Sequence, residues 1–255
     1  MATEITYAIA RSFVPVFNTP ETPFKLPLVR KEDGRMMAME TVAFPGTLFT
    51  VKKQTGDIWE VSTQDYPSAT PLYVDSRLLA PAQESIDRVK RLPSCDAILR
   101  MLLNLVGIRY FWGGNSEGIP PLLDLYEEPN AIPKEDLDDA TCSGFDCSGL
   151  LYYATGGSTP RNTSELITYG EGIDIKGQTA EQICDKSKPL DLFVWRGHVV
   201  IFLSPKQIIE SRIGKGVVIT PAAERIEEAV KQLDAAGKPY YMRRWHPEQL
   251  GRIIS

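Results

Sequence analysis

The chain has 255 residues, 43% of them hydrophobic and 24% charged, with 28 Lys plus Arg against 33 Asp plus Glu for a formal net charge of −5. That length gives one or two domains with enough chain to bury a core, and the acidic balance, with a pI near 5.3, argues against a non-specific nucleic-acid binder. The richest apolar stretch, Leu192 to Leu203, is broken by Arg196 and His198, which excludes it as a membrane span.

Glu4 and Arg11 fall inside what would have to be the apolar region of a secretory leader, so a cytoplasmic protein is expected. The first eighty residues then read as short strands. FVPVF, ETVAF, TLFTV, IWEVS and PLYV are rich in Val, Phe and Thr and are separated by Pro, Gly and Asp, the pattern of a small all-β barrel or sandwich. After Pro81 the polar run QESIDRVKRLP reads as a linker with at most a helical turn.

Ser94 is placed to cap a helix from Cys95 to about Val106, with apolar residues at 98, 101, 102, 105 and 106 and Gly107 beyond the end. Residues 113–144, rich in proline and acidic side chains, fit neither period and are read as a partly ordered lid or an insertion. A second helix is expected to begin at or near Cys147 and stop at Gly156-Gly157, and LFVW, HVVIFLS and QIIES read as strands of a following sheet. The expected class is α+β.

Cysteines stand at 95, 142, 147 and 184 with no C-x-x-C pair, and the two histidines are His198 and His246. Neither a metal site, a disulfide framework nor any cofactor is expected from such spacing. Cys147 is set apart by FDCSGLLYYA, where a Gly-flanked turn enters an apolar helix whose unpaired amides favour an anion. His198, at the start of a β-branched strand, is the better candidate base, because His246 in RWHPEQL looks like a surface residue before a helical turn. Glu210 follows twelve residues later on the next strand of an expected hairpin, where it can return to the imidazole. A cysteine, a histidine and a third polar group on neighbouring elements is an arrangement for nucleophilic acyl transfer. Cys142, in a second C-S-G string, lacks both the preceding Asp and the following apolar helix and is expected to be a bystander.

The string Tyr110-Phe-Trp-Gly-Gly114, then Phe145-Asp-Cys-Ser-Gly-Leu150, Pro160-Arg161, and Gly197-His-Val199 with a polar residue twelve positions after the histidine resembles the NlpC/p60 family of papain-like cysteine peptidases over about residues 94–245. VPVFNTP, FPGTLFTV, GDIWEVS and PLYVDSRLL resemble a bacterial SH3-like domain over roughly residues 5–82. Together they are similar to γ-D-glutamyl-L-diamino acid endopeptidases of the dipeptidyl-peptidase VI type. The resemblance implies an SH3-like barrel at 1–82, a linker at 83–94 and a papain-like catalytic domain at 95–255 carrying the 113–144 insertion.

By that resemblance, Cys147 is the nucleophile, His198 the base and Glu210 the orienting third group, where relatives most often have His. Tyr110 joins the Cys147 amide in holding the oxyanion. Asp146 and Ser148 hold the substrate's N-terminal amine, and Arg161, Asn162 and Thr163 its diamino-acid end, although Thr163 or Ser164 could equally cap a helix. Tyr66 and Tyr73 are candidate walls from the SH3-like domain. The implied substrate is a murein-derived peptide with a free N-terminal L-Ala, with no nucleic-acid or membrane partner. An amidase or acyltransferase of the same fold, or a non-catalytic peptide-binding module, stands as the alternative.

Overall fold

The computed structural model describes residues 6–21, 24–25, 28, 38–83 and 86–251. Glu4 of the leader reading and residues 84 and 85 of the linker reading lie outside the described residues. The chain divides into two compact units, one formed by 1–89 and 111–146, the other by 90–110 and 147–255.

The first unit holds β1 (Tyr7–Ala10), β2 (Val14–Phe17), β3 (Met39–Ala43), β4 (Leu48–Thr55), β5 (Ile58–Ser62), β6 (Leu72–Asp75) and β7 (Leu79–Ala82). They make one antiparallel sheet in the order β3-β2-β6-β5-β4-β1-β7. Five of these strands coincide with the β-branched runs of the sequence. β1 and β7 do not: YAIA is short and lies between β4 and β7, and LAPA, with little β propensity, is a strand through its pairing with β1, Tyr7 opposite Ala82 and Ala10 opposite Leu79. Pro81 is tolerated because β7 lies at the sheet edge. No helical turn is present among the described residues 86–94.

The chain passes through α1 (Cys95–Asn104) of the other unit and returns at Phe111. The stretch read as a lid contains β8 (Asn115–Ser116), 3-10 turns at 120–125, 129–131 and 134–136, α2 (Leu137–Ala140) and β9 (Gly144–Phe145), which pairs with β8. Phe111, Ile119, Leu122, Tyr126, Ile132, Ala140 and Cys142 share one core with the β strands. This stretch therefore belongs to the compact unit of the N-terminal strands, whereas the sequence reading counted it within the second domain.

Asn115 joins the stretch to the sheet edge. Its Oδ1 accepts the Val42 N–H at 2.8 Å and its Nδ2 donates to the Val42 carbonyl at 2.8 Å, with the Thr41 hydroxyl 3.1 Å from Oδ1. A fully buried amide thus satisfies both backbone groups of a residue on the edge strand β3. The preceding Gly114 is required by space: a Cβ there would lie 2.4 Å from the Gly144 carbonyl.

The second unit continues with α3 (Cys147–Ala154), α4 (Thr163–Leu166), β10 (Glu171–Ile173), α5 (Ala180–Lys186), β11 (Leu192–Trp195), β12 (His198–Ser204), β13 (Gln207–Arg212), β14 (Gly216–Pro221), α6 (Ala222–Ala235) and β15 (Tyr240–Arg244). Its antiparallel sheet runs β10-β15-β11-β12-β13-β14. Ile183, Phe193, Val200, Phe202, Ile208, Ile226 and Leu233 join α5 and α6 to the sheet in one core, where each fully buried Phe contributes roughly 1.5–3 kcal/mol. Val199 and Ile201 are equally buried, so β12 is covered on both faces and its sequence is an almost continuous apolar run. Ser94 caps α1, its Oγ accepting the Ala97 N–H. Of the five apolar positions expected to face the core from this helix, Ile98, Leu102 and Leu105 are buried while Met101 and Val106 are exposed.

His246 is a correction: it is fully buried. Its Nε2–H donates to the Pro93 carbonyl at 2.9 Å, its Nδ1 accepts the Glu248 N–H, and the Cys95 thiol lies 3.0 Å from Nδ1. Glu248 accepts the Cys95 N–H at 2.9 Å. The sequence showed the helical turn after His246 but not that the C-terminal segment folds back over the start of α1.

Candidate active site

Cys147 is the first residue of α3, and α3 is buried at nearly every position, as a helix apolar all round must be. The turn into it is set by the Asp146 N–H, which donates to the Gly114 carbonyl at 3.0 Å. Cys147 is 8% exposed, and its thiol points to the Gly197 carbonyl at 3.9 Å.

His198 opens β12, directly after the Arg196-Gly197 turn that joins it to β11, and pairs with Trp195. Its Nε2 lies 2.6 Å from Glu210 Oε2, and the Cys147 thiol faces the carbonyl of Gly197, the residue before His198. The sheet explains why a separation of twelve residues works. Ile201 pairs with Ile209, so Glu210 is diagonal to His198 on the same face, within reach of two long side chains.

Glu210 is fully buried. Arg225 of α6 clasps it, Nε to Oε1 at 2.7 Å and Nη2 to Oε2 at 3.1 Å, and Arg212 Nη1 lies 3.8 Å from Oε1. Burial alone would push this carboxyl up, but the hydrogen bonds and charges of His198 and Arg225 outweigh it and hold the group below the ordinary carboxylate range. Burial works against the charged form of His198 in the same way. Its interactions with Cys147 and Glu210 prevail and push the imidazole up to about 9.

Cys95 and Cys142 are pushed up to about 12 and Cys184 to about 11, burial being the leading cause in each. Cys142 sits in the core of the first unit with φ +54°.

Of the remaining candidates, Tyr110 is half-buried at the end of a stretch that extends the sheet past β14: the Gly107 N–H donates to the Val217 carbonyl and the Val217 N–H to the Ile108 carbonyl. Ser148 and Arg161 are both buried and meet, Arg161 Nη1 donating to Ser148 Oγ at 3.0 Å. Thr163 accepts the Gly197 N–H at 3.0 Å, which ties α4 to the residue before His198. Neither Thr163 nor Ser164 caps α4. Asn162 holds the N-cap position and makes no side-chain capping bond. In the first unit, Tyr66 donates to Glu40 at 2.7 Å, and Tyr73, partly buried against the core, pairs with Phe17 and Glu60 across the strands.

Arg225 and Arg212 were not anticipated. Arg225 stands on the buried stripe Ala222, Ile226, Ala229, Leu233 of α6, and a charge at a helix position of that periodicity is the signal that would have found it. Among the described residues, one set of three side chains has the donor types of a metal site, Cys95, His246 and Glu248. The 3.0 Å between Sγ and Nδ1 is a hydrogen-bond distance, shorter than the ~3.5 Å separating two ligands of a tetrahedral ion. A cavity of about 570 Å³ bordered by Asp174, Lys176, Asp234, Lys238, Tyr240 and Arg243 contains none of the candidate residues.

No protein-family model matches this sequence, and no curated protein matches it. Among solved structures, the chain is similar to an NlpC/p60 family protein from Bacillus cereus ATCC 10987, with 16% identity over 94% of this chain and 100% of that one and a TM-score of 0.61. NlpC1 from Trichomonas vaginalis matches over 94% of this chain and 68% of its own at 12% identity and TM-score 0.38. RipD from Mycobacterium tuberculosis, described as a non-catalytic NlpC/p60 domain protein adapted to peptidoglycan binding, matches over 59% of this chain and 95% of its own at 19% identity and TM-score 0.38. The Bacillus cereus likeness is one of fold: this chain has the α+β fold of an NlpC/p60 protein.

Proposed function

We propose that the chain is a cysteine peptidase that hydrolyses the γ-D-glutamyl to diamino-acid bond of murein-derived peptides bearing a free N-terminal L-Ala, inside the cell. The observation that carries the reading is His198, joined to Glu210 at 2.6 Å, with the Cys147 thiol facing the carbonyl of the adjacent Gly197. A nucleophile, a base and an orienting group in that order are the parts of acyl transfer.

In the proposed reaction the Cys147 sulfur attacks the scissile carbonyl carbon and the π electrons move to oxygen. Tyr110 and the Cys147 amide stabilise that oxyanion, each such donor being worth a few kcal/mol in other hydrolases. The carbonyl re-forms as the C–N bond breaks, the imidazolium proton goes to the departing amine, and a thioester remains. Water, deprotonated by His198, attacks the thioester and releases the D-glutamyl product and the thiol. Glu210 stays ionised throughout and supports the imidazolium.

The substrate part rests on the motif resemblance and on Asp146, whose carboxylate stands one residue before the nucleophile. A charge-assisted bond from an ammonium there is worth about 1.5–3 kcal/mol. Mass spectrometry of products from L-Ala-γ-D-Glu-diamino-acid peptides, free and N-acetylated, tests the reading. Cleavage after D-Glu is expected, with acetylation lowering kcat/KM at least about tenfold. Equal turnover of both peptides would remove the amine requirement. Tight binding of the peptide with no turnover would make the chain a binding module.

A further inference from the structure

We propose that Arg225 is a positioning residue of this site: it keeps the buried Glu210 carboxylate ionised and fixes its plane, so that Glu210 can hold His198 protonated against Cys147. The inference rests on the reading of Cys147 as nucleophile and adds Arg225 to the cluster of Cys147, His198 and Glu210.

Geometry is the first support. A carboxylate joined to the imidazole through one oxygen is free to rotate about its last bond. The side-on fork of Arg225, Nε on Oε1 and Nη2 on Oε2, removes that freedom and aims Oε2 at His198 Nε2. Arg225 is held in turn, its guanidinium 5.8 Å from the ring centre of Trp195, whose ring centre lies 5.1 Å from that of His198. One indole therefore backs both cations of the cluster.

The second support is the burial. Glu210 has no exposed surface and Arg225 has 7%. A carboxyl without water favours its neutral form unless a cation opposes the cost, and a neutral Glu210 would give the imidazolium no counter-charge. The charged groups against Glu210 are His198 from β12, Arg212 from its own strand and Arg225 from α6, the two arginines also pairing with Glu228. β14 places the uncharged Val218 opposite it. Arg225 is the one cation among these that bonds both carboxylate oxygens.

A third observation points away from mere packing. Arg225 Nη1 is buried without a hydrogen-bond partner, with Glu228 Oε2 3.4 Å away outside hydrogen-bond geometry. Buried ion pairs can often be replaced by apolar side chains at no loss of stability. A charge retained on the apolar stripe of α6 at the expense of an unsatisfied nitrogen is therefore explained by what it does to Glu210.

The direction of the effect is specific. Without Arg225, Glu210 takes up a proton, His198 loses its counter-charge, and the imidazolium gives up its proton at lower pH. Were Arg225 only a nearby cation beside a carboxylate that stays ionised, its loss would move that limb to higher pH.

The test uses the full chain as wild type, Arg225→Met, Arg225→Lys, Glu210→Gln and the double variant Glu210→Gln/Arg225→Met. The readouts are kcat/KM on the murein peptide against pH and, independent of any substrate, the rate of Cys147 alkylation by iodoacetamide against pH. Arg225→Met is expected to lower kcat/KM at least about tenfold and to shift the basic limb of both profiles downward. In the Glu210→Gln background it should add less than about twofold. Arg225→Lys, which keeps the charge but not the fork, should leave the limb in place with a reduced rate, and it carries the test if Arg225→Met does not fold. An unmoved or upward-shifted limb in Arg225→Met, full multiplicative loss in the double variant, or a wild-type rate in Arg225→Lys would overturn the proposal. A downward shift of the alkylation limb in a protein that cleaves no murein peptide would sink the substrate reading and leave the role of Arg225 standing.

Discussion

The hydroxyl of Thr163, at the first turn of α4, accepts the backbone N–H of Gly197 at 3.0 Å, and Gly197 is both the residue before His198 and the owner of the carbonyl that the Cys147 thiol faces. A side chain that motif resemblance would assign to substrate thus also fixes the turn that presents base and nucleophile to each other. Thr163→Val keeps the shape and removes the acceptor. It is expected to lower kcat/KM by about tenfold, equivalent to ~1.4 kcal/mol, with little change in Tm, and Thr163→Ser should restore most of the loss. A wild-type rate in Thr163→Val would leave the hydrogen bond without a functional role.

Cys147→Ala should abolish hydrolysis and leave the circular dichroism spectrum and Tm close to wild type, because a helix start tolerates a small side chain. Cys142→Ala and Cys184→Ala should retain substantial activity. Cys95→Ala should also remain active but lose about 1 kcal/mol of stability, since it removes the thiol facing the buried His246 Nδ1. Product release and thermal melts of the four variants check all of this.

The imidazole of His198 is raised from its ordinary 6.5 to about 9 in the folded chain. A raised pKa means that the folded state binds the proton more tightly, so the contribution is fully present below pH 6.5 and is lost as pH climbs through 9. The stability difference between wild type and His198→Gln, from urea unfolding, should therefore narrow between those two pH values. A difference that stays constant over that window would show that the two states do not differ in proton binding at His198.

Asn115→Leu keeps the volume but strands the Val42 N–H and carbonyl, each of which costs about 1–3 kcal/mol when buried without a partner. A loss of roughly 2–4 kcal/mol in chemical denaturation is expected, larger than for an ordinary surface asparagine. Unfolding at the wild-type midpoint would mean that water replaces the amide at the edge of β3.

Gly216 sits at φ +70°, and a Cβ on it would lie 2.3 Å from the Ile108 carbonyl. Gly216→Ala should cost roughly 1–3 kcal/mol. By displacing the stretch that ends in Tyr110, it should also reduce kcat measurably at temperatures where the variant is folded. Loss of stability with an intact kcat would separate Tyr110 from the chemistry.

The sequence by itself determined what is local or periodic. The runs of β-branched residues located five strands of the first sheet and the apolar segments of β11, β12 and β13. Ser94 marked the start of α1, and the FDCSGLLYYA string marked a cysteine at the head of a buried helix. The interval from His198 to Glu210 is also legible, because a hairpin of two strands fixes which residues stand diagonal on one face. Pairing over long distances decided the rest. β7 has little strand propensity and exists through its pairing with β1. The 113–144 stretch fits neither period because its apolar residues reach a core built by strands many residues away. His246 looks exposed in RWHPEQL, yet the partners that make it a buried residue, Pro93 and Cys95, lie about 150 positions earlier. Arg225 has the same origin, a charge whose counter-ion sits on another element. The apolar stripe of α6 marks Arg225 as a buried charge, but a hydrogen bond leaves no trace in the spacing of one sequence when its two ends are joined by the fold alone, and that is why its pairing with Glu210 became visible only in three dimensions.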